Sequence, residues 1–238
     1  MPYKKVTLEL QKLKNPEKIA AYQRFFKTAK GEYGEGDIFL GITVPLQRAV
    51  ALKNLDCSFF DIERLLKNPI HEYRFTSLEI LVAQYERGNE KQRNIIAKFY
   101  LQNSAHINNW DLVDTSAPYI LGRNLFGKEA LPVLRKLACS KNLWQKRIAI
   151  ISTLYFINQN RFDETLVIAE MLLDNTHDLI HKAIGWMLRE IYKRSPKTTE
   201  DFLRTHYVRV SRMTLRYAIE RMSTTSRSRW LAGDIKIL

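Results

Sequence analysis

The chain has 238 residues, with 38 Lys and Arg against 25 Asp and Glu, so its formal net charge is +13 at pH 7. Hydrophobic residues make up 45% and charged residues 26% of the sequence, which excludes a disordered chain and indicates a globular protein of one or two domains. No apolar run approaches the ~18 residues of a membrane span and no signal-peptide pattern is visible, so we expect a cytoplasmic protein, nucleoid-associated if bacterial, with no membrane partner.

Helix start signals recur along the first half of the chain. Asn15-Pro16 combines a capping side chain with a proline at the first helical position, and Asn68-Pro69 repeats this pattern. Asn89 and Asn109 are predicted caps of the next two helices. Pro118 is expected to kink or end the second of these, because proline removes a helical hydrogen bond.

Helical spacing of apolar residues continues through the second half. The predicted helices cover residues 128–138, 143–157, 163–173 and 178–193, and two shorter ones begin at Ser195 and Ser211. The pattern is lost after Ser223, which predicts a loose tail over residues 223–238. Since no sustained β alternation or βαβ rhythm occurs, we predict an all-α chain with a single domain over residues 1–222. The loose recurrence of start signals favours an α-solenoid of helical repeats.

Charge distribution and cysteine usage bear on partners and cofactors. Residues 181–238 hold 13 Lys and Arg against 5 Asp and Glu, and a folded basic face of this kind fits a polyphosphate such as nucleic acid. A generally basic surface is the alternative explanation. Cys57 and Cys139 have no cysteine or histidine at metal-ligand spacing, so we predict buried, reduced thiols and no zinc site.

The segment Asn109–Asp114 holds the first candidate for chemistry. Trp110 and Asp114 are four positions apart, so on a helix they project from one face. An aromatic ring beside a carboxylate is unusual for a core face, which makes the pair a candidate site. The alternative is a tryptophan packed in the core, with Asp114 bonded to a neighbouring helix end.

Two further segments carry basic and aromatic residues within apolar helices. Arg147 lies among isoleucines and must pair or reach solvent, either as a salt bridge or as a phosphate clamp. Gly185 in mid-helix costs about 1 kcal/mol relative to Ala, which indicates close packing or the close approach of a partner. Trp186 follows it directly, with a structural role as the alternative to a functional one. Lys182 and Arg189 are candidates for phosphate contact.

Several segments together resemble one known protein family. The segments NNWDLVD, LWQKRIA and HKAIGWMLRE, in this order and spacing, resemble the AlkD-like DNA alkylation-repair glycosylases, and GEYGEGDIFLGI matches the N-terminal part of that family. The resemblance runs from about residue 15 to residue 222. It implies a curved stack of HEAT-like helical repeats whose basic concave face holds duplex DNA. It also implies an activity, the excision of N3- and N7-alkylated purines.

The resemblance assigns roles to individual residues. The family's catalytic aspartate falls on Asp114, and its active-site arginine falls on Arg147. Its two active-site tryptophans fall on Trp110 and Trp186. Tyr33, in the glycine-rich loop, matches a family tyrosine near the site and is therefore an expected DNA contact.

The implied reaction requires no metal or redox cofactor. A 3-methyladenine or 7-methylguanine nucleoside is already cationic, so its base leaves as a neutral molecule while positive charge develops on the deoxyribose. A carboxylate at Asp114 would stabilise this charge and orient the attacking water. The faces of Trp110 and Trp186 would flank the charged nucleotide, and Arg147 would hold a phosphate. The resemblance implies that the base is not held in a protein pocket, unlike the usual route of excision enzymes.

We expect the partner to be duplex DNA containing alkylated purines, and the protein to be a monomer. Lys182, Arg189 and Arg212 are the expected phosphate contacts. Two alternatives stay open: a non-catalytic protein of the same fold that binds damaged or branched DNA, and a helical-repeat scaffold for other proteins. The first alternative is disfavoured by the presence of all four residues, Asp114, Trp110, Trp186 and Arg147. A basic concave face would argue against the second.

Overall fold

The computed structural model describes residues 2–235, which form helices joined by short loops. Within these residues there is no β-strand, and one isolated bridge joins Ile38 to Ile70. The all-α prediction is therefore confirmed. The chain forms two compact units, and the boundary between them in the sequence falls between Asn124 and Leu125.

The first unit is organised around one long helix. Its helices are α1 (Pro2–Lys12), α2 (Pro16–Phe25), α3 (Val44–Leu52), α4 (Phe59–Leu66), α5 (His71–Arg87), α6 (Glu90–Gln102) and α7 (Trp110–Ser116). Helices α1, α3, α4, α6 and α7 all pack against α5, which is buried on most of its surface. A helix surrounded in this way does not show a single apolar stripe, because nearly every side faces another helix.

Three of the predicted helix caps form, and in each the capping side chain bonds a backbone N–H one to three residues away in sequence. The Asn15 side chain accepts the N–H of Glu17, and Asn89 forms a reciprocal capping box with Gln92. Asn109 accepts the N–H of Trp110 and starts α7. This helix ends before Pro118, as predicted, and a π-helical turn over Pro118–Gly122 follows it.

One predicted start is displaced. At Asn68-Pro69 the Asn68 side chain accepts the N–H of Ile70, which closes a turn, and α5 begins only at His71. The cap of α5 is Ile70, whose side chain cannot accept a hydrogen bond. The first turn of α5 is held by contacts distant in sequence, which local spacing does not reveal.

The second unit is likewise arranged around a central helix. After the short α8 (Arg123–Leu125), the helices are α9 (Leu131–Ala138), α10 (Leu143–Ser152), α11 (Leu154–Asn158), α12 (Asp163–Leu172), α13 (Asp178–Tyr192), α14 (Pro196–Thr205), α15 (Arg212–Ala218) and α16 (Thr224–Ala232). The helix predicted over residues 143–157 is divided at Thr153. Helix α13 packs against α10, α11, α12, α14 and α15, so most contacts join helices near one another in sequence, which is typical of helical repeats.

Gly185 allows α13 to approach α15 closely. A Cβ atom at this position would lie 2.5 Å from the Tyr217 Cβ and 2.6 Å from the Thr214 carbonyl oxygen. No side chain fits at these distances without movement of the backbone. The packing explanation of this mid-helix glycine is therefore the one that the structure supports.

The prediction of a loose tail is wrong where the structure describes the tail. Residues Thr224–Ala232 form α16, with the Ser223 hydroxyl accepting the N–H of Ser226 as its cap. Trp230 is only 2% exposed, and its carbonyl oxygen accepts a hydrogen bond from the Tyr207 hydroxyl at 2.8 Å. One buried aromatic ring thus anchors a segment whose sequence is otherwise polar. Residues 236–238 of the predicted tail lie outside the described residues.

Candidate functional site

Helix α7 carries Trp110 and Asp114 one turn apart, and both residues are half-buried. Tyr100 of α6 is fully buried beside this helix, with its hydroxyl 2.9 Å from the Ser116 hydroxyl. Burial raises the pKa of Tyr100, the hydrogen bond with Ser116 opposes this rise, and the negative charge of Asp114 raises the pKa further. The Asp114 carboxylate is therefore close enough to Tyr100 to act on it electrostatically.

Trp110 lies at the end of a row of aromatic rings. It stacks on Phe26 at a centroid distance of 5.3 Å, and Phe26 stacks on Phe39 at 5.1 Å. Phe25 meets Trp110 edge-on at 5.6 Å and is 63% exposed. Stacking of this kind fixes the plane of the indole ring, and Phe25 extends the aromatic surface beside it.

Phe25 is not predictable as a site residue from the sequence. Its only signal is the apolar spacing of α2, which does not distinguish a core phenylalanine from an exposed one. Tyr33, which the resemblance placed near the site, is half-buried in the turns between α2 and α3. Its role stays a prediction.

A buried network of charged and polar groups underlies the start of α7. His71 Nε2 lies 2.7 Å from an Asp111 carboxylate oxygen, and its Nδ1 lies 3.3 Å from Asp37. Arg74 donates to Asp37 at 2.6 Å, and the Asn109 side-chain amide donates to Asp37 at 3.2 Å. The network joins α5, the loop between α2 and α3, and the cap of α7.

The electrostatics of this network favour a protonated His71. Burial alone would lower the pKa of His71, but the charge of Asp111 and hydrogen bonds to Asp111 and Asp37 raise the pKa to about 9 against the opposing charge of Arg74. Burial also tends to raise the pKa of Asp37, yet its hydrogen bond to His71 and the charge of Arg74 lower the pKa overall. At neutral pH the network therefore contains an imidazolium between two carboxylates.

Glu72 holds the loop that supplies Asp37 and Phe39. Its buried carboxylate accepts the N–H groups of Leu40, Gly41 and Ile42 at 2.8–3.2 Å. Gly41 has φ +81°, and a Cβ there would lie 2.1 Å from the Asn15 carbonyl oxygen. Only glycine fits this position, because it combines a left-handed backbone with close contact to another backbone segment.

In the second unit, Arg147 and Trp186 lie on two helices that pack together, α10 and α13. Arg147 is 5% exposed, and its Nη1 donates to the Leu179 carbonyl oxygen at 2.6 Å in the first turn of α13. Trp186 is half-buried, and its Nε1 donates to Glu190 at 3.2 Å. The first contact places a buried cation at the start of α13.

The predicted phosphate contacts occupy different environments. Lys182 and Arg189 share one face of α13 with Trp186, since these positions are four and three residues apart. Arg189 forms an ion pair with Glu220, and Arg212 donates to the Leu231 carbonyl oxygen at 2.6 Å. Either arginine would have to leave its present partner to bind a phosphate.

The residues that the structure describes lack the features of a metal site and of a membrane-spanning helix. They contain no group of three or more His, Cys, Asp or Glu placed to hold a metal ion, and no helix among them has the length and apolarity required to cross a bilayer. Cys57 and Cys139 are both free thiols. Cys57 is buried, which raises its pKa to about 11, but Cys139 is exposed, so the prediction of burial is wrong there.

Comparison with known proteins places the chain in a family. A family model described as DNA alkylation repair enzyme matches residues 6–222. Among solved structures, the chain is similar to a predicted DNA alkylation repair enzyme from Enterococcus faecalis, with 20% identity and a TM-score of 0.67 over 89% of this chain and 97% of that chain. At this identity the likeness shows the fold alone. No curated protein matches the sequence. The family match covers most of both units, and the chain belongs to the DNA alkylation repair enzyme family.

Proposed function

We propose that the protein is a monofunctional DNA glycosylase that excises cationic N3- and N7-alkylated purines from duplex DNA. The observation that carries this proposal is the pair of Trp110 and Asp114 on α7, in a chain of this family. Both side chains are half-buried, and the indole ring is fixed by stacking on Phe26. A carboxylate and an aromatic ring therefore stand one helical turn apart in a defined geometry.

The chemistry follows from the charge of the substrate. A 3-methyladenine or 7-methylguanine base already carries positive charge, so cleavage of the N-glycosidic bond releases it as a neutral molecule. The positive charge then develops on the deoxyribose. Asp114 is assigned to stabilise this oxocarbenium-like sugar and to orient the water that attacks it. Lesions without a positive charge are expected to be poor substrates, because no group is assigned to protonate the leaving base.

The aromatic surface of the first unit is assigned to the sugar and the flanking backbone. Trp110 attracts a cation through the face of its ring, an interaction of about 0.5–2 kcal/mol that increases with desolvation. Phe25 widens this surface and contributes apolar contact area. Neither role requires a pocket that encloses the base.

In the second unit, the face of α13 that carries Lys182 and Trp186 is assigned to the DNA, together with the buried Arg147. Arg147 is assigned to a phosphate, since its planar guanidinium matches phosphate oxygens. Trp186 and Lys182 lie on one face of α13 and are assigned to the nucleotide and its backbone. The net charge of +13 supports a polyanionic partner, and duplex DNA is the one that the family implies.

The test is single-turnover release of 7-methylguanine and 3-methyladenine from methylated duplex DNA. The wild type is expected to release both bases, and Asp114→Asn is expected to lose roughly a hundredfold or more in rate while keeping its affinity for DNA. Asp56→Asn, at an exposed turn of the same unit, is the matched control and should behave as the wild type.

Two outcomes would contradict the proposal. If Asp114→Asn excises at the wild-type rate, the catalytic carboxylate is assigned to the wrong residue. If the wild type releases no base but binds DNA with strong salt dependence, the protein is a non-catalytic DNA-binding member of its family.

A further inference from the structure

His71 connects three elements at the base of the helix that carries Trp110 and Asp114. It opens α5, and its two ring nitrogens face Asp111 in the first turn of α7 and Asp37 in the loop between α2 and α3. Its side chain is almost completely buried. The glycosylase chemistry proposed above uses none of these three residues, so their burial requires another explanation.

The charges in the network balance only when His71 is protonated. Asp37 and Asp111 contribute two negative charges, and Arg74 contributes one positive charge. An imidazolium supplies the second positive charge and donates from both ring nitrogens. A neutral imidazole has one N–H donor, so either Asp37 or Asp111 would lose its hydrogen bond to His71. Asp37 would keep its bonds to Arg74 and Asn109, but the buried network would then carry one uncompensated negative charge, which is costly.

The network reaches Trp110 by two routes. Along the backbone, Asp111 and the cap residue Asn109 flank Trp110 directly, and both are bonded into the network. Through the side chains, Phe26 packs on the His71 ring at a centroid distance of 4.8 Å and on the Trp110 ring at 5.3 Å. A change in the position of His71 would therefore be transmitted to the indole ring.

We propose that His71 is a positioning residue, whose imidazolium fixes the start of α7 and thereby the orientation of Trp110 and Asp114. The effect on excision rate rests on the proposed function, but the effect on Trp110 does not. The charged groups that face His71 are Asp37, Asp111 and Arg74. Tyr22 packs edge-on against Phe26, and burial together with the charge of Glu72 raises the pKa of its hydroxyl.

The sign of the pH dependence follows from the pKa of His71, about 9. Below this value the imidazolium is present and α7 is fixed. Above it the proton is lost and the helix start loosens. Asp111→Asn removes one of the two carboxylate charges but keeps a hydrogen-bond acceptor, so it should lower the midpoint by about one pH unit or more.

The first test does not depend on activity. The protein is labelled with 5-fluorotryptophan, and the resonance of Trp110 is assigned with Trp110→Phe. This resonance is expected to shift with a midpoint near pH 9. It should titrate at lower pH in Asp111→Asn and show no transition in His71→Gln. The control His106→Gln, which changes the other histidine of the described first unit, should keep the wild-type titration.

The proposal is overturned if the Trp110 resonance stays constant from pH 6 to pH 10 in a folded wild type. It is also overturned if the midpoint is the same in Asp111→Asn. Circular dichroism at each pH separates a local change from unfolding. The wild-type titration itself requires no substitution. If Trp110→Phe fails to fold, substitution of the other three tryptophans, Trp144, Trp186 and Trp230, assigns the Trp110 resonance by elimination.

The second test measures the rate constant for base release at saturating DNA. Above the His71 midpoint this rate constant should fall by about tenfold per pH unit, after subtraction of release without enzyme, while DNA affinity changes less. In Asp111→Asn the fall should begin at lower pH. A rate constant independent of pH between 6 and 10 would overturn the link to catalysis. Absence of release at every pH would instead overturn the proposed function, with the fluorine titration still deciding the coupling of His71 to Trp110.

Discussion

Gly185 shows how a single atom sets the distance between two helices. Glycine in the interior of α13 destabilises the helix by about 1 kcal/mol relative to Ala. Its missing side chain allows α13 to approach α15 so closely that the Tyr217 side chain and the Thr214 backbone occupy the space of a Cβ. Trp186 is the next residue, so this contact also determines where the indole ring is held.

We predict that Gly185→Ala destabilises the protein. The added methyl group would lie 2.6 Å from the Thr214 carbonyl oxygen, and a backbone atom cannot move aside as a flexible side chain can. The expected loss is about 1–3 kcal/mol, which outweighs the higher helix propensity of alanine. Urea unfolding followed by circular dichroism measures it, with the exposed Gln23→Ala on α2 as control. A variant as stable as the wild type would mean that α15 shifts freely.

At the scale of an element, α16 depends on one residue. Trp230 is buried under the Arg204 guanidinium, which lies 5.3 Å from its ring, and under Tyr207, which bonds its carbonyl oxygen. Arg212 donates to the neighbouring Leu231 carbonyl. The family match ends at residue 222, so α16 lies beyond the matched residues, and it contacts α14 through Arg204 and α15 through Arg212.

Trp230→Ala is expected to release α16 from the second unit. Loss of a fully buried tryptophan costs about 3–5 kcal/mol. Limited proteolysis should then cut within Thr224–Ala232, and the melting temperature should fall. Arg227→Ala, at an exposed position on the same helix, should change neither. If Trp230→Ala resists protease as well as the wild type, the contacts of Arg212 and Tyr207 alone hold the helix.

The elements that sequence predicts well are those whose signals are local. Asn15, Asn89 and Asn109 cap their helices with atoms one to three residues away, so spacing alone reveals them. His71 and Trp230 could not be predicted in this way, since their partners are 23 to 40 residues distant in sequence. A histidine at a helix start, or a tryptophan in a polar stretch, acquires its role only through tertiary contact. The assignments of Asp114 and Arg147 came from family resemblance, and they stay predictions.

At the scale of the whole molecule, the net charge of +13 makes DNA affinity a salt-dependent quantity. Each phosphate that a cation neutralises contributes a slope of about −0.9 to the plot of log affinity against log salt concentration. Lys182 shares a face of α13 with Trp186, so Lys182→Ala should reduce the magnitude of this slope by about 1.

Arg209→Ala is the matched control, because Arg209 is paired with Asp174 and Glu170 on the surface. Filter binding between 50 and 200 mM salt, a range over which such slopes are resolved, measures both variants. An unchanged slope in Lys182→Ala would show that Lys182 contacts no phosphate. An absence of salt-dependent DNA binding in the wild type would favour the alternative that the protein is a scaffold for other proteins.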